Sequence, residues 1–290
     1  MSTFHPRNLH RKGYHFAGLI KAYPLLEPHV INNPTGEPTI LFSDPEAVKA
    51  LNTALLIKHY GLQHWDIPEG YLCPPVPGRA DYLHHLADLL AAGGPLLTGK
   101  DVRILDIGTG ANLIYAILGQ RIYDWSIVGT EVDKLALKTA KALIDINPVL
   151  QKGIQLRPQQ NPRQVLEGII RENDFFHATV CNPPFYASEA EASEANARKR
   201  KNLKLGKVGR TVAGQPGELW TAGGERSFLL RFIKESQIYR QQVGWFTSLV
   251  SQKDHLEPLE HALQKAAAQE VKIIPLAAGQ KRMRILAWRF

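Results

Sequence analysis

Apolar positions follow two regimes along the chain. Up to about residue 95 they recur at helical spacing or not at all, and from Asp101 they form short continuous runs separated by amphipathic stretches. Residues 1 to about 40 are rich in Pro, Asn and His and keep no period, so they read as irregular, with one short helix near 16–22 and a turn at Asn33-Pro34-Thr35-Gly36. Ser43-Asp44-Pro45-Glu46 is a capped helix start, with Pro45 at the first helical position. Ala47, Val48, Ala50, Leu51, Ala54 and Leu55 then mark an apolar stripe that runs to about Tyr60. A second amphipathic pattern covers 80–90 and stops at Gly93-Gly94.

Beyond Asp101 the runs 102–107, 125–132, 153–158, 177–182 and 243–250 read as strands, with helices over 135–147, 225–241 and 255–269. Such alternation predicts an α/β fold with a mostly parallel, Rossmann-like sheet and right-handed crossovers. The last two runs, 270–276 and 283–290, are joined by a loop too short for a crossover, so five parallel strands should close on an antiparallel pair. The division expected is an N-terminal helical extension over 1–95 and a Rossmann-like domain over 96–290, which carries a basic insert at 186–224.

Composition narrows the classes of function. The chain has 290 residues, 44% of them hydrophobic, which suffices for one large α/β domain with an extension or for two small domains. Cys73 and Cys181 are the only cysteines and stand in no metal-ligand spacing, so neither a disulfide framework nor a structural metal is expected, and a reducing cytoplasmic setting fits. The polar, basic N-terminus lacks an apolar core and no run of 18 apolar residues occurs, so neither secretion nor a membrane partner is expected. A net charge of +8 makes nucleic acid a plausible partner. That charge is concentrated: Ala195 to Gly217 holds seven Lys or Arg, Arg198, Lys199, Arg200 and Lys201 among them, and no acid. The first 21 residues, with Arg7, Arg11, Lys12 and Lys21, are likewise acid-free. Each segment reads either as an RNA contact or as a solvated basic run.

Three motifs carry chemistry. Asp106-Ile107-Gly108-Thr109-Gly110 places a glycine turn directly after the first strand of the sheet, where backbone can approach a ligand closely. A dinucleotide fingerprint needs a third glycine where Leu113 stands, and the preceding Asp106 suits a cationic cofactor; S-adenosylmethionine carries an ammonium and a sulfonium. Glu131 ends the next strand, 21 residues after Gly110, where an acid accepts hydrogen bonds from ribose hydroxyls, with Asp133 a competing candidate. Asn182-Pro183-Pro184-Phe185 follows the fourth strand and is the most specific of the three. An exocyclic amine attacking a methyl group must free its lone pair, and acceptors on both N–H groups favour this. The Asn182 side-chain oxygen and the Pro184 carbonyl are suited to that task, prolines hold them rigidly, and Phe185 offers a stacking face for an unstacked base. Cys181 reads as a buried strand-end thiol. Most of the histidines precede residue 86, where RNA contact or packing is a better reading than metal ligation, and His84 and His85 should face different sides of their helix. The sheet together with these motifs is the arrangement of a class I S-adenosylmethionine-dependent methyltransferase, an analogy of fold.

The same residues resemble a known family, the bacterial ribosomal RNA large subunit methyltransferase F enzymes, which modify an adenine N6 of 23S ribosomal RNA, and a related eukaryotic U6 small nuclear RNA methyltransferase. The resemblance runs nearly end to end: HPRN (5–8), DPEAVKALNTALL (44–56), WDIPEGYLCPPVPGRADYLHHLADLL (65–90), LDIGTGANLIY (105–115), TEVD (130–133), CNPPF (181–185), GGE (223–225), WFTSLVS (245–251) and GQKRMRILAWRF (279–290). It implies Arg79 and Gly108 as cofactor contacts, Glu131 as the ribose acid, Asn161 near the cofactor adenine, and Asn182 shared by cofactor and target amine. It also implies that the basic arm and the insert bind RNA, either 23S ribosomal RNA or a large-subunit assembly intermediate, with the enzyme a monomer. The chain ends at the last strand, which favours the bacterial branch. Rival readings are a protein glutamine methyltransferase using the same acceptors, a catalytically silent RNA-binding or assembly protein, and a nicotinamide dehydrogenase, which Leu113 disfavours.

Overall fold

The computed structural model describes residues 4–186, 188, 190–191, 221–278 and 281–290. Its N-terminal extension contains α1 (Phe16–Ala22), a hairpin of β1 (Val30–Asn32) and β2 (Pro38–Ile40), and two long helices, α2 (Pro45–Tyr60) and α3 (Val76–Ala91). The hairpin turns at the expected Asn33-Pro34-Thr35-Gly36, where Asn33 Oδ1 accepts from the backbone N–H groups of Thr35 and Glu37. The hairpin was missed within the stretch read as irregular, because each strand is only three residues long.

Local chemistry sets the helix ends. The Asp44 carboxylate accepts from the Glu46 N–H at the start of α2, and Gly61, in the left-handed region at φ +72, returns its N–H to the carbonyls of Ile57 and Leu56. The second helix begins at Val76, four residues before the expected apolar stripe, since Pro77 tolerates a first turn whose N–H groups have no helical partner. It stops at Ala92, itself left-handed, one residue before the glycines.

The sheet is built from β3 (Arg103–Ile107), β4 (Ser126–Glu131), β5 (Ile154–Pro158), β6 (Phe176–Cys181), β7 (Val243–Val250), β8 (Glu270–Ala278) and β9 (Lys281–Arg289). Between them lie α4 (Ile114–Tyr123), α5 (Lys134–Ile146), α6 (Gly224–Ser236) and α7 (Leu256–Lys265). The spatial order is β5-β4-β3-β6-β7-β9-β8. β3 to β7 are parallel, and β9 is antiparallel to both β7 and β8, so β8 points the same way as the parallel set. The expected antiparallel pair is thus one reversed strand inserted between two of common direction. The crossover through α7 carries β8 to the outer edge, and the short hairpin returns β9 into the slot. Two helices are shorter than expected: α6 ends at Ser236 and α7 at Lys265. α4 had no counterpart in the pattern.

Extension and sheet share one core. Leu51, Leu55, Tyr82, Leu83 and Leu86 of α2 and α3 cluster with Ile104, Ile117 and Leu118, and on the other face of the sheet Phe232, Phe246 and Trp288 stack together. Burying each such side chain contributes about 1.5–3 kcal/mol. His84 and His85 do take separate partners, Tyr123 and Asp81, yet both rings abut His5 of the arm. Among the described residues no group of three His, Cys, Asp or Glu is placed to hold a metal, and no helix is long and apolar enough to cross a membrane.

The loop from Gly61 to Pro75 is tied to the sheet domain by several polar contacts, those of one amide side chain among them. Asn147, fully buried after α5, accepts from the N–H groups of Gln63 and His64 and donates to the carbonyls of His64 and Leu143. Removing it strands several backbone groups. Asn147→Ala is expected to lower stability by about 2–4 kcal/mol, read as a shifted urea midpoint at unchanged m-value; a shift below about 0.5 kcal/mol would show that the loop does not rely on this residue.

Candidate active site

Parallel strands that cross over in opposite directions leave a crevice at their carboxyl ends. Here β3 leads outward to β4 and β5 while its neighbour β6 leads the other way to β7, and a cavity opens between them. Gly108, Thr109 and Gly110 line it from the turn after β3, Thr130 and Glu131 from the end of β4, and Cys181, Asn182, Pro183 and Pro184 from the end of β6. The extension closes one side with Leu72, Pro74 and Arg79. The space within the cavity and the open solvent at its mouth together amount to about 1070 Å³.

The glycine turn is required by backbone conformation. Gly108 sits at φ +70, and a Cβ there would meet nothing within 4 Å, so conformation and not crowding selects glycine. Glu131 is fixed by three backbone donors: Gly110 N–H to Oε2 at 3.0 Å, and Val132 and Asp133 N–H to Oε1 at 2.7 and 3.1 Å. Burial raises its pKa, and those three hydrogen bonds oppose the shift. Asp133, the competing acid, is occupied elsewhere: it caps α5 through Leu135 and Ala136 and accepts from the Tyr71 hydroxyl at 2.7 Å.

Asp106 is fully buried beneath the turn. Its Oδ2 accepts from the Thr109 hydroxyl at 2.6 Å, and its Oδ1 has no hydrogen-bond partner among the described residues. Burial pushes its pKa up to about 7, against the Thr109 hydrogen bond and the Arg79 charge, with Glu131 adding to the rise. Arg79, buried on α3, donates to the Tyr115 hydroxyl at 3.0 Å and lies 5.4 Å from that ring. Asn182 lines the same cavity as Gly108 and Glu131, and its buried Oδ1 meets no donor among the described residues. Burial pushes the Cys181 thiol up, as suits an inert strand-end cysteine.

Some expected residues fall elsewhere. Asn161 is exposed and outside the lining, with its Oδ1 accepting from the Arg163 N–H at 3.0 Å in a local turn. That wall is instead formed by Gln159, Pro162, Gln164 and Val165. Phe185 is half-buried and outside the lining, whereas Phe228 and Thr221 are within it. Arg7 is engaged inside the fold, bonded to Asp88, the His84 carbonyl and the Tyr123 hydroxyl, while Arg11 and Lys12 are exposed. Arg198, Lys199, Arg200 and Lys201 lie outside the described residues. Gln159 and Phe228 were missed at the sequence level; position alone flags Gln159, the first residue past the carboxyl end of β5.

A family model described as RNA methyltransferase matches residues 1–290. The chain belongs to this RNA methyltransferase family. It is 48% identical over 305 residues to the ribosomal RNA large subunit methyltransferase F of Psychrobacter sp. (strain PRwf-1), covering 100% of this chain and 93% of the relative. Among solved structures it is similar to the human METTL16 catalytic domain in complex with MAT2A 3′UTR hairpin 1, at 32% identity and TM-score 0.84 over 99% of this chain and 95% of that one. It is also similar to the N-terminal domain of human METTL16 in complex with SAH, at 29% identity and TM-score 0.78 over 99% and 98%. The RNA methyltransferase fold expected from the sequence is therefore the one observed.

The raised Asp106 makes this methyltransferase pH-sensitive. Between about pH 4 and 7 the folded carboxyl keeps a proton that the unfolded chain has lost, so the stability of the free protein falls as pH rises through that window. A cation in the cavity favours the carboxylate, and below pH 7 its binding must expel that proton. Affinity for S-adenosylmethionine, measured by calorimetry, is expected to rise several-fold from pH 6 to 8 and to flatten in Asp106→Asn; equal pH profiles would remove Asp106 from cofactor recognition.

Proposed function

We propose that this RNA methyltransferase transfers a methyl group from S-adenosylmethionine to the exocyclic N6 of one adenine in 23S ribosomal RNA, as naked RNA or within a large-subunit assembly intermediate, acting as a cytoplasmic monomer. The observation that carries this reading is the buried Asn182 Oδ1, an acceptor without a donor among the described residues, in the cavity that Gly108 and Glu131 also line. The name of the Psychrobacter relative supports the ribosomal substrate, and the SAH-bound human neighbour supports the cofactor.

The residues present fit that cofactor. The unpartnered Asp106 Oδ1 sets a negative field under the glycine turn, Glu131 retains lone pairs for ribose hydroxyls, and the Arg79 guanidinium complements a carboxylate. Gly108 and Gly110 let the backbone approach closely, while Gln159 and Pro162 take the adenine-side wall that Asn161 leaves. When bound, the cofactor supplies an electrophilic methyl group. The protein's part is to hold the amine: Asn182 Oδ1 accepts one N–H, the Pro184 carbonyl accepts the other, and the nitrogen lone pair turns out of conjugation with the ring. Pro183 and Pro184 keep these acceptors from rotating away. Phe185 stacks on the unstacked base. Orientation supplies most of the acceleration, and the proton passes to water afterwards.

RNA is drawn in by charge. Arg11 and Lys12 of the arm, with Arg198 to Lys201 of the insert, meet phosphates, while residues 1–95 also cover the cofactor through Leu72, Pro74 and Arg79.

Asn182→Ala is expected to cut methyl incorporation into RNA at least about a hundredfold with an unchanged melting midpoint; a variant of wild-type rate would refute the assignment. Replacing Arg198, Lys199, Arg200 and Lys201 by Gln is expected to reduce the slope of log affinity against log salt by roughly 3, the contribution of four phosphate contacts. An unaltered slope would place the insert outside the RNA interface.

A further inference from the structure

A carboxylate on α6 gathers the backbone of the cavity wall. Glu235, in the last turn of that helix, accepts from the Val165 N–H through both of its oxygens, each at 3.0 Å. Its Oε2 also accepts from the N–H groups of Leu166 at 2.7 Å and Glu167 at 3.1 Å. Three successive amides converging on one anion form a concavity of the kind that binds anions, and the carboxylate satisfies all three donors at once. The segment they belong to, between β5 and β6, contributes Pro162, Gln164 and Val165 to the cavity, and it is neither helix nor strand.

The clamp also has a direction. Phe228 and Glu235 are seven residues apart on α6, two turns along the same face. Phe228 lines the cavity and Glu235 holds the wall beside it, so one helix sets the spacing of two walls. Packing of Val165, Leu166 and Ile169 in the same apolar cluster as Phe232 and Ile233 keeps the segment near α6 in any case. Packing does not specify the backbone dihedrals, and the three amide bonds do.

We infer that Glu235 is a positioning residue for the cofactor: it holds residues 162–167 in the conformation whose wall the cofactor contacts, and it takes no part in methyl transfer. The inference rests on the cavity being the cofactor site. Without the carboxylate the segment samples other conformations, and affinity falls by the fraction of time the competent one is kept.

The test uses the full chain and S-adenosylhomocysteine, with wild type, Glu235→Gln and Glu235→Ala compared by titration calorimetry. The Gln variant keeps one acceptor oxygen and is expected to bind a few-fold more weakly, and the Ala variant about tenfold more weakly, as for a competent fraction near one tenth. Turnover on RNA at saturating cofactor should stay within about twofold, so that KM moves and kcat does not. Amide hydrogen exchange at 165–167 should speed up in the free variants and slow again when cofactor saturates. Unchanged affinity in a folded Ala variant would overturn the inference, as would a matching loss of kcat. Should the Ala variant fail to fold, the Gln variant decides by the same two readings. Failure of the wild type to bind S-adenosylhomocysteine would instead sink the assignment of the cavity itself.

Discussion

Burying an oxygen that accepts no hydrogen bond costs about 1–3 kcal/mol, and natural folds hold few such atoms. Two of those described here stand at the carboxyl ends of adjacent central strands, Asp106 Oδ1 in β3 and Asn182 Oδ1 just after β6. The register that pairs Ile107 with Cys181 places the turn after each strand side by side. Asn182 lines the cavity, and Asp106 lies buried beneath the glycine turn that lines it. The glycine turn covers one, the prolines stiffen the other, and the extension limits access. A ligand that brings donors or positive charge can pair with such oxygens.

The cavity is a composite, and its cover is tied down by polar contacts. Tyr71 bonds to Asp133, the Leu72 carbonyl accepts from Asn112, and Asn147 secures the segment upstream. Each contact joins the extension to an element that itself carries a lining residue or its support. Asn112 follows the glycine turn, and Asp133 gives its N–H to Glu131. Cover and floor therefore form one network, and the stretch before residue 95 belongs to the site as much as the sheet does.

How much of this was legible depended on contiguity. The strands of the sheet fell within a few residues of their pattern, because buried parallel strands are short apolar runs with polar breaks. α4 escaped notice since Ile114 to Gln120 are all buried, leaving no polar face from which to read a helical period. The reversed β9 was visible as a hairpin partner, but its insertion inside β8 is set by the crossover through α7, which local pattern does not encode. The glycine turn and the Asn-Pro-Pro-Phe segment were readable because their chemistry is compressed into consecutive residues. Gln159, Thr221 and Phe228 are common residue types that reach the cavity only through the tertiary fold. Asn161 shows the converse: a plausible residue in the right loop whose side chain is consumed by its own turn.

Charge on the N-terminal arm was also only half legible. His10 and His84 are both held near pKa 4, first by burial and then by neighbouring charge, so at neutral pH they dock without charge. Among the lysines and arginines of the described arm residues, Arg7 is drawn into the docking contact, where it pairs with Asp88, which His5 also contacts. An arm docked on several charged side chains would loosen as salt rises. By packing neutral rings and pairing a single cation, the fold separates the charges that hold the arm from Arg11 and Lys12, which it leaves exposed. Salt can then screen the exposed cations without undoing the arm itself.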